Sequence, residues 1–519
     1  MRECGILLPV ASLPSKYGIG GFSREAYEFI DQLKRAGQNY WQILPLGPTG
    51  YGDSPYQSFS AFAGNPYFID LEQLTAEGYL TVAECREADC GGDGRYIDYE
   101  AVYRSRFSVL RKAYERWKKR MEEQGEDPET LFEAELCQET REYCLYAAVK
   151  RSFGEISWDQ WEEPVKLRKE KAMEACRREL ADDIRFYEFQ QLMFQRQWQA
   201  LKAYAHRQGI RIIGDIPIYV AFDSADSWCH PELFQFDEQC RPTAVAGCPP
   251  DAFSATGQLW GNPLYRWDYH AETGFAWWIR RMEYCFSLYD VVRVDHFRGF
   301  DEYYAIPAGE DTAMYGTWEK GPGIAIFQKM RKALGTVDII AEDLGFLTPS
   351  VRKLLEETGF PGMKVLQFAF NAEERSCYLP YFYPHNCIVY TGTHDNDTTL
   401  GWYRTLSEKD LQFTRDYMNN GASPESEIPW DFIRLALSST ADLAVIPLQD
   451  YLGLGGEARI NTPSTLDGNW TWRLQKGQFT RKICERCRQM NQLYGRGPVQ
   501  EPSEDEVPES RKADEKRED

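Results

Sequence analysis

The sequence predicts an α/β fold, a (β/α)8 TIM barrel with inserted, mainly helical subdomains. Three observations predict it. Eight short apolar runs are spread along the 519 residues, at 5–10, 40–46, 210–216, 291–295, 337–342, 363–368, 387–391 and 443–448, and eight strands are what a closed parallel barrel needs. Several runs end in acids or histidines, as expected where the loops after parallel strands converge on one face. The first two are joined by a helical pattern, which makes a βαβ unit.

The opening run is short and broken by Pro9, so it reads as a first strand rather than a secretory leader. Ser23 then precedes Ala26, Phe29, Ile30 and Leu33 at helical spacing, and Gly37 is a stop signal before the second strand. The interval of about 53–182 is too long for a simple crossover. It carries helical patterns rich in Arg, Glu and Tyr and predicts an inserted helical subdomain. Tyr187, Phe194, Trp198, Leu201 and Ala205 form the apolar stripe of a helix ending near Gly209. The third run then places Asp215 near its end.

The fourth run, Val291-Val292-Arg293-Val294-Asp295-His296, is the most informative. Alternate strand residues share a face, so Arg293 and Asp295 point one way while Val292 and Val294 pack the other. An adjacent arginine favours the charged form of a carboxylate, which suits a nucleophile better than a proton donor. Taken alone, an Arg-x-Asp pair is more often a buried ion pair without chemistry. It is not alone: the fifth run ends in Glu342 and Asp343, and the seventh is followed by His394, Asp395 and Asp397.

Composition narrows the class. Lys and Arg number 59 against 80 Asp and Glu, a net charge of −21, which argues against nucleic acid or an anionic membrane as partner. No run approaches transmembrane length. The 14 cysteines are scattered, which points to reduced thiols in a cytoplasm. The single Cys-x-x-Cys, Cys484 with Cys487, lacks the second pair or histidine that a zinc site would require. From 497 onward the chain is charged and nearly devoid of large apolar residues, a composition that predicts disorder.

Residues 5–15 read Gly-Ile-Leu-Leu-Pro-Val-Ala-Ser-Leu-Pro-Ser, and residues 54–66 read Ser-Pro-Tyr-Gln-Ser-Phe-Ser-Ala-Phe-Ala-Gly-Asn-Pro. With Gly-Asp-Ile-Pro-Ile-Tyr at 214–219, Pro-Pro-Asp at 249–251 and Gly-Gln-Leu-Trp-Gly-Asn-Pro at 257–263, they resemble the 4-alpha-glucanotransferases called amylomaltases or disproportionating enzymes, of the alpha-amylase clan. The resemblance runs to about Arg496. It implies Asp295 as nucleophile, Glu342 as general acid/base and Asp395 as a stabilising carboxylate. Retaining glycosyl transfer needs two carboxyl groups roughly 5 Å apart, with pKa values pushed apart by their surroundings.

The resemblance also implies that Asp215, Asp251, Arg293, His296 and His394 serve substrate binding, with Tyr56 and Trp260 as aromatic walls. Asp343 and Asp397 would be structural. The implied substrates are maltooligosaccharides and alpha-1,4-glucans, with no organic cofactor and no metal. Residues 247–263, with Phe253 and Trp260, would form a lid whose closure excludes water and so favours transfer over hydrolysis. Ala255 stands where many relatives would carry an acid, and Ser464 where a glycine is frequent. Three other readings share these residues: a hydrolytic alpha-glucanase, a divalent-metal lyase holding its ion through Asp215, Asp295 and Glu342, and a non-catalytic glucan-binding protein.

Overall fold

The computed structural model describes residues 2–50, 52–86, 88, 94–250, 254–345, 347–465 and 467–497. Eight parallel strands close into a barrel: β1 (Glu3–Leu7), β2 (Tyr40–Gln42), β3 (Arg211–Pro217), β4 (Val291–Asp295), β5 (Ile339–Ala341), β6 (Gly362–Val365), β7 (Cys387–Tyr390) and β8 (Leu443–Pro447). Each pairs with its sequence neighbour, and β1 closes the ring against β8. The register sets Asp215 beside Arg293 and Pro217 beside Asp295 across β3 and β4.

The pleat sorts the strand residues between two cores. Leu7, Ile213, Val291, Ile340, Met363, Val365, Ile388 and Val445 fill one buried cluster inside the barrel. Ile6, Ile212, Val292, Val294, Val389 and Ile446 belong to a second cluster with Phe29, Ile30 and Leu33 of the helix Arg24–Arg35. Burying both strand faces is what parallel sheets require, and it explains why these segments read as continuous apolar runs.

Strand ends fall short of the apolar runs where the chain turns over the rim. Pro9, which has no N–H to give a ladder, follows β1, and Val10–Ser12 is a 3-10 turn. Leu366–Phe368 is likewise 3-10 rather than strand.

Between 53 and 182 the helices are Leu71–Ala76, Val82–Arg86, Tyr99–Gln124, Pro128–Glu135, Gln138–Ser152, Glu163–Lys166 and Glu170–Glu179. The longest begins where the Asp98 side chain accepts from Ala101 N and ends at Gly125 in the left-handed region, a fit between cap residues and termini. The expected stripe lies on Ala181–Arg207, which buries Phe194, Trp198, Leu201 and Ala205.

Most of a second sheet was not legible in the sequence. Gln258–Pro263, Ala244–Cys248, Glu302–Pro307 and Thr317–Lys320 form an antiparallel sheet in that order, so the expected lid is largely a hairpin joined to a sheet. The two hairpin strands are short, with exposed positions and glycines such as Gly247 and Gly261, and lack the apolar alternation that marks a strand, whereas Glu302–Pro307 buries the run from Tyr303 to Ile306. Asp251, Phe253 and the tail from 498 lie outside the described residues. Among the described residues no helix is long and apolar enough to cross a membrane.

Candidate active site

Arg293 is the pivot of the barrel mouth. Its side chain is only 2 % exposed, and an unpaired charge there would be strongly unfavourable. The compensation is close: Nη1 donates to both oxygens of Asp215 at 2.7 Å, and Nη2 donates to Asp295 Oδ1 at 2.9 Å. Nε donates to the sulfur of Met363 at 3.3 Å. Arg293 and Asp295 share the inner face because they are two residues apart on β4, and Asp215 meets them through the β3 register.

Asp215 is fully buried and also accepts from the Tyr56 hydroxyl at 2.9 Å. Burial raises its pKa against the pull of Arg293. Asp295 differs in exposure, with its side chain 32 % exposed at the mouth. The same guanidinium therefore serves one carboxylate sealed below the mouth and one open to a ligand.

Glu342 follows β5. Oε2 accepts from the backbone N–H of His296 at 2.8 Å and Oε1 from that of Leu344 at 2.8 Å. Burial, and then the negative charge of Asp295, push its pKa up to about 8, against Arg293 and the two N–H donors. Below that pH it carries a proton. His296 adopts the left-handed region, φ 54°, where a side chain is strained, and this conformation accompanies its donation to Glu342. Burial pushes the His296 pKa down to about 4, so its imidazole is neutral at pH 7. Its Nε2 is buried without a partner among the described residues, and Trp260 packs edge-on at 4.8 Å.

Asp395, beyond β7, is held from another side. Asn461 Nδ2 donates to its Oδ1 at 2.6 Å, and Arg459 Nη2 donates to its backbone oxygen at 2.7 Å. His394 Nε2 lies 3.4 Å from Asp395 Oδ2. The His394 ring stacks on Tyr56 with centroids 5.2 Å apart and planes at 15°, and Trp470 flanks both. The neighbouring acids turn inward: Asp343 accepts from Met363 N at 2.6 Å, and Asp397 from Thr398 N at 2.7 Å.

The structure thus brings together Tyr56, Asp215, Arg293, Asp295, His296, Glu342, His394, Asp395 and Trp260. Sequence reasoning missed Arg459, Asn461, Trp470 and Tyr219, whose ring faces Trp260 and His296 at 6.4 Å. Arg459 and Asn461 follow β8 in a loop without periodic signal, so only three-dimensional proximity reveals them. Ser464 sits at φ 65°, a geometry that favours glycine. Ala255 occupies an exposed turn in which Gly257 N donates to Ser254 O.

Comparison with known proteins places the chain in a family. The family model of 4-alpha-glucanotransferase matches residues 8–480. A 4-alpha-glucanotransferase of Thermus thermophilus is 48% identical over 494 residues, covering 94% of this chain and 98% of that one. A Clostridium butyricum 4-alpha-glucanotransferase is 46% identical over 493 residues, covering 94% and 99%. The solved amylomaltase of Streptococcus agalactiae in complex with acarbose superposes with a TM-score of 0.92 at 38% identity, covering 96% of this chain and all of that one. With a family model spanning most of its length and relatives of such identity and coverage, the chain belongs to the 4-alpha-glucanotransferase family.

Proposed function

We propose that the protein transfers segments of alpha-1,4-glucan from a donor to the 4-hydroxyl of glucose or another glucan by retaining double displacement. The observation that carries this is the contrast between Asp295, paired with the Arg293 guanidinium, and Glu342, which accepts from two backbone N–H groups and whose pKa is pushed up to about 8 by desolvation and the Asp295 charge. Two carboxyl groups with diverging environments are what acid and nucleophile need.

In the first step an oxygen of Asp295 attacks the anomeric carbon while Glu342 gives its proton to the departing glycosidic oxygen. The shortened glucan leaves, and a glycosyl ester of Asp295 remains. In the second, the Glu342 carboxylate takes the proton of the acceptor hydroxyl, whose oxygen displaces Asp295. Asp395 and His394 bind hydroxyls of the reacting sugar, and those bonds strengthen as its ring flattens. The unpaired Nε2 of neutral His296 serves a further hydroxyl. Tyr56 and Trp260 supply aromatic walls, and Asp215 holds Arg293 and Tyr56 in place at the cleavage point.

Two features favour this reading over its rivals. Arg293 already fills the space between Asp215 and Asp295 where a lyase would hold its cation. The hairpin bearing Trp260 covers His296 and would keep water from the glycosyl ester, which favours transfer over hydrolysis. The test is incubation with pure maltotriose. Transfer yields glucose and a ladder of longer oligomers; glucose and maltose alone would mean hydrolysis.

A further inference from the structure

The segment after β6 presents an aromatic pair that neither core absorbs. Tyr381 is 56 % exposed and Phe382 44 %. Their ring centroids lie 4.6 Å apart with planes at 44°. The Arg375 guanidinium sits 5.5 Å from the first centroid and 4.9 Å from the second, and its Nε donates to the Tyr381 hydroxyl at 3.3 Å.

The segment is pinned at both ends. Ser376 Oγ donates to Phe368 O at 2.7 Å, and Thr440 Oγ1 donates to Tyr383 O at 3.0 Å. Between them Gly345 N, three residues beyond Glu342, donates to the Tyr378 hydroxyl at 3.4 Å. The rings therefore stand on a fixed scaffold joined to the loop that follows the acid/base residue.

The surroundings decide what such a pair can hold. Glu373, Glu374, Arg375, His385 and Asn386 are exposed in the same segment, so the two rings, with Pro384 and Phe368 nearby, form a small apolar patch interrupted by polar groups. That is too small for a stable protein interface, which buries far more apolar surface. It suits a pyranose, whose C–H face stacks on an aromatic ring while its rim hydroxyls meet polar groups. Successive units of an alpha-1,4 chain turn relative to one another, and the two adjacent rings are tilted by 44°, so they offer two differently oriented faces. The guanidinium beside them donates to hydroxyls.

We propose that Tyr381, Phe382 and Arg375 form a surface platform that holds a stretch of alpha-1,4-glucan outside the cleft. The proposal rests on glucan being the substrate class. Its consequence is selective: long chains gain a second hold on the protein and a higher local concentration around it, whereas maltotriose gains nothing.

The test compares the parent protein with the Y381A/F382A double variant on maltotriose and on soluble amylose. The KM for amylose should rise about three- to ten-fold, the scale of losing one or two stacking contacts, with kcat/KM for maltotriose unchanged. With the cleft saturated by acarbose, retardation of the parent in native gels containing amylose should persist and that of the variant should fall. An unchanged KM for amylose, equal retardation, or a parallel loss on maltotriose would overturn the platform. If the parent transfers from maltotriose and the variant is indistinguishable on amylose, the platform alone fails. If the parent does not act on maltotriose, the functional reading fails and takes the platform with it.

Discussion

The backbone N–H of His296 donates to Glu342 Oε2 at 2.8 Å, tying the residue after Asp295 to Glu342 through a left-handed kink. This one local conformation bridges the ends of neighbouring strands at the two carboxyl groups proposed as nucleophile and acid/base. It also links the protonation of Glu342 to the shape of the β4 loop.

Activity should fall on the alkaline side through the ionisation of Glu342. Its pKa of about 8 in the free protein is the group expected to set the basic limb of kcat/KM. The measurement is a pH profile on maltotriose; a limb near the ordinary carboxylate range would count against the assignment. The Glu342→Gln variant should lose about 100- to 10,000-fold in rate, the span of general acid–base contributions.

The same shift has a stability consequence. Glu342 holds its proton more tightly folded than unfolded, since its pKa rises from the ordinary 4.5 to about 8. The stabilisation is thus complete below about 4.5 and is lost as pH climbs through about 8. Relative to the parent, Glu342→Gln should gain Tm progressively between pH 5 and pH 9. Parallel melting curves across that range would show that the group does not titrate this way.

Arg293→Met should cost far more than activity. Asp215 would stay fully buried with the Tyr56 hydroxyl as its remaining side-chain hydrogen-bond partner among the described residues, and must either hold an uncompensated charge or take up a proton; breaking a buried pair in this way costs about 3–5 kcal/mol. Chemical denaturation measures it. The double variant Arg293→Met with Asp215→Asn should recover part of the loss without recovering activity.

Asn461→Ala removes the donor that holds Asp395 Oδ1 at 2.6 Å. We expect kcat to fall about 10- to 100-fold, as when one strong hydrogen bond to a charged group is lost, with the Tm nearly unchanged. A loss confined to KM would mean that Asn461 contacts substrate without positioning Asp395.

Ser464 occupies an exposed position at φ 65°. Ser464→Gly should relieve backbone strain of about 1 kcal/mol, visible as a small rise in Tm. A fall in Tm would show that serine is the better residue there.

Much of this was legible in the sequence, for physical reasons. The barrel strands are buried on both faces and therefore appear as apolar runs, and their C-terminal ends display Asp215, Asp295, Glu342 and Asp395 in order. Most of the second sheet was hidden because its hairpin strands are short, half-exposed and glycine-bearing and Thr317–Lys320 is largely exposed; the buried apolar run from Tyr303 to Ile306 was legible and was missed. Arg459 and Asn461 were hidden for another reason. They act on Asp395 from 64 and 66 residues away in the chain, and no spacing rule connects a strand-end acid to a loop after the next strand. The pairing of Arg293 with Asp215 was half-visible: the cation was assigned to Asp295 from its own strand, and only the β3 register shows that it serves both.

We propose that Asp295 becomes covalently glycosylated while Glu342 moves the proton. The most direct measurement is mass spectrometry of peptides from protein inactivated with a slowly released fluorinated maltosyl donor. The account requires one maltosyl group on the peptide containing Asp295, absent in Asp295→Asn and accumulating in Glu342→Gln supplied with a donor whose leaving group needs no proton. A sugar attached to any other residue, or turnover of the donor with no adduct in either variant, would contradict it.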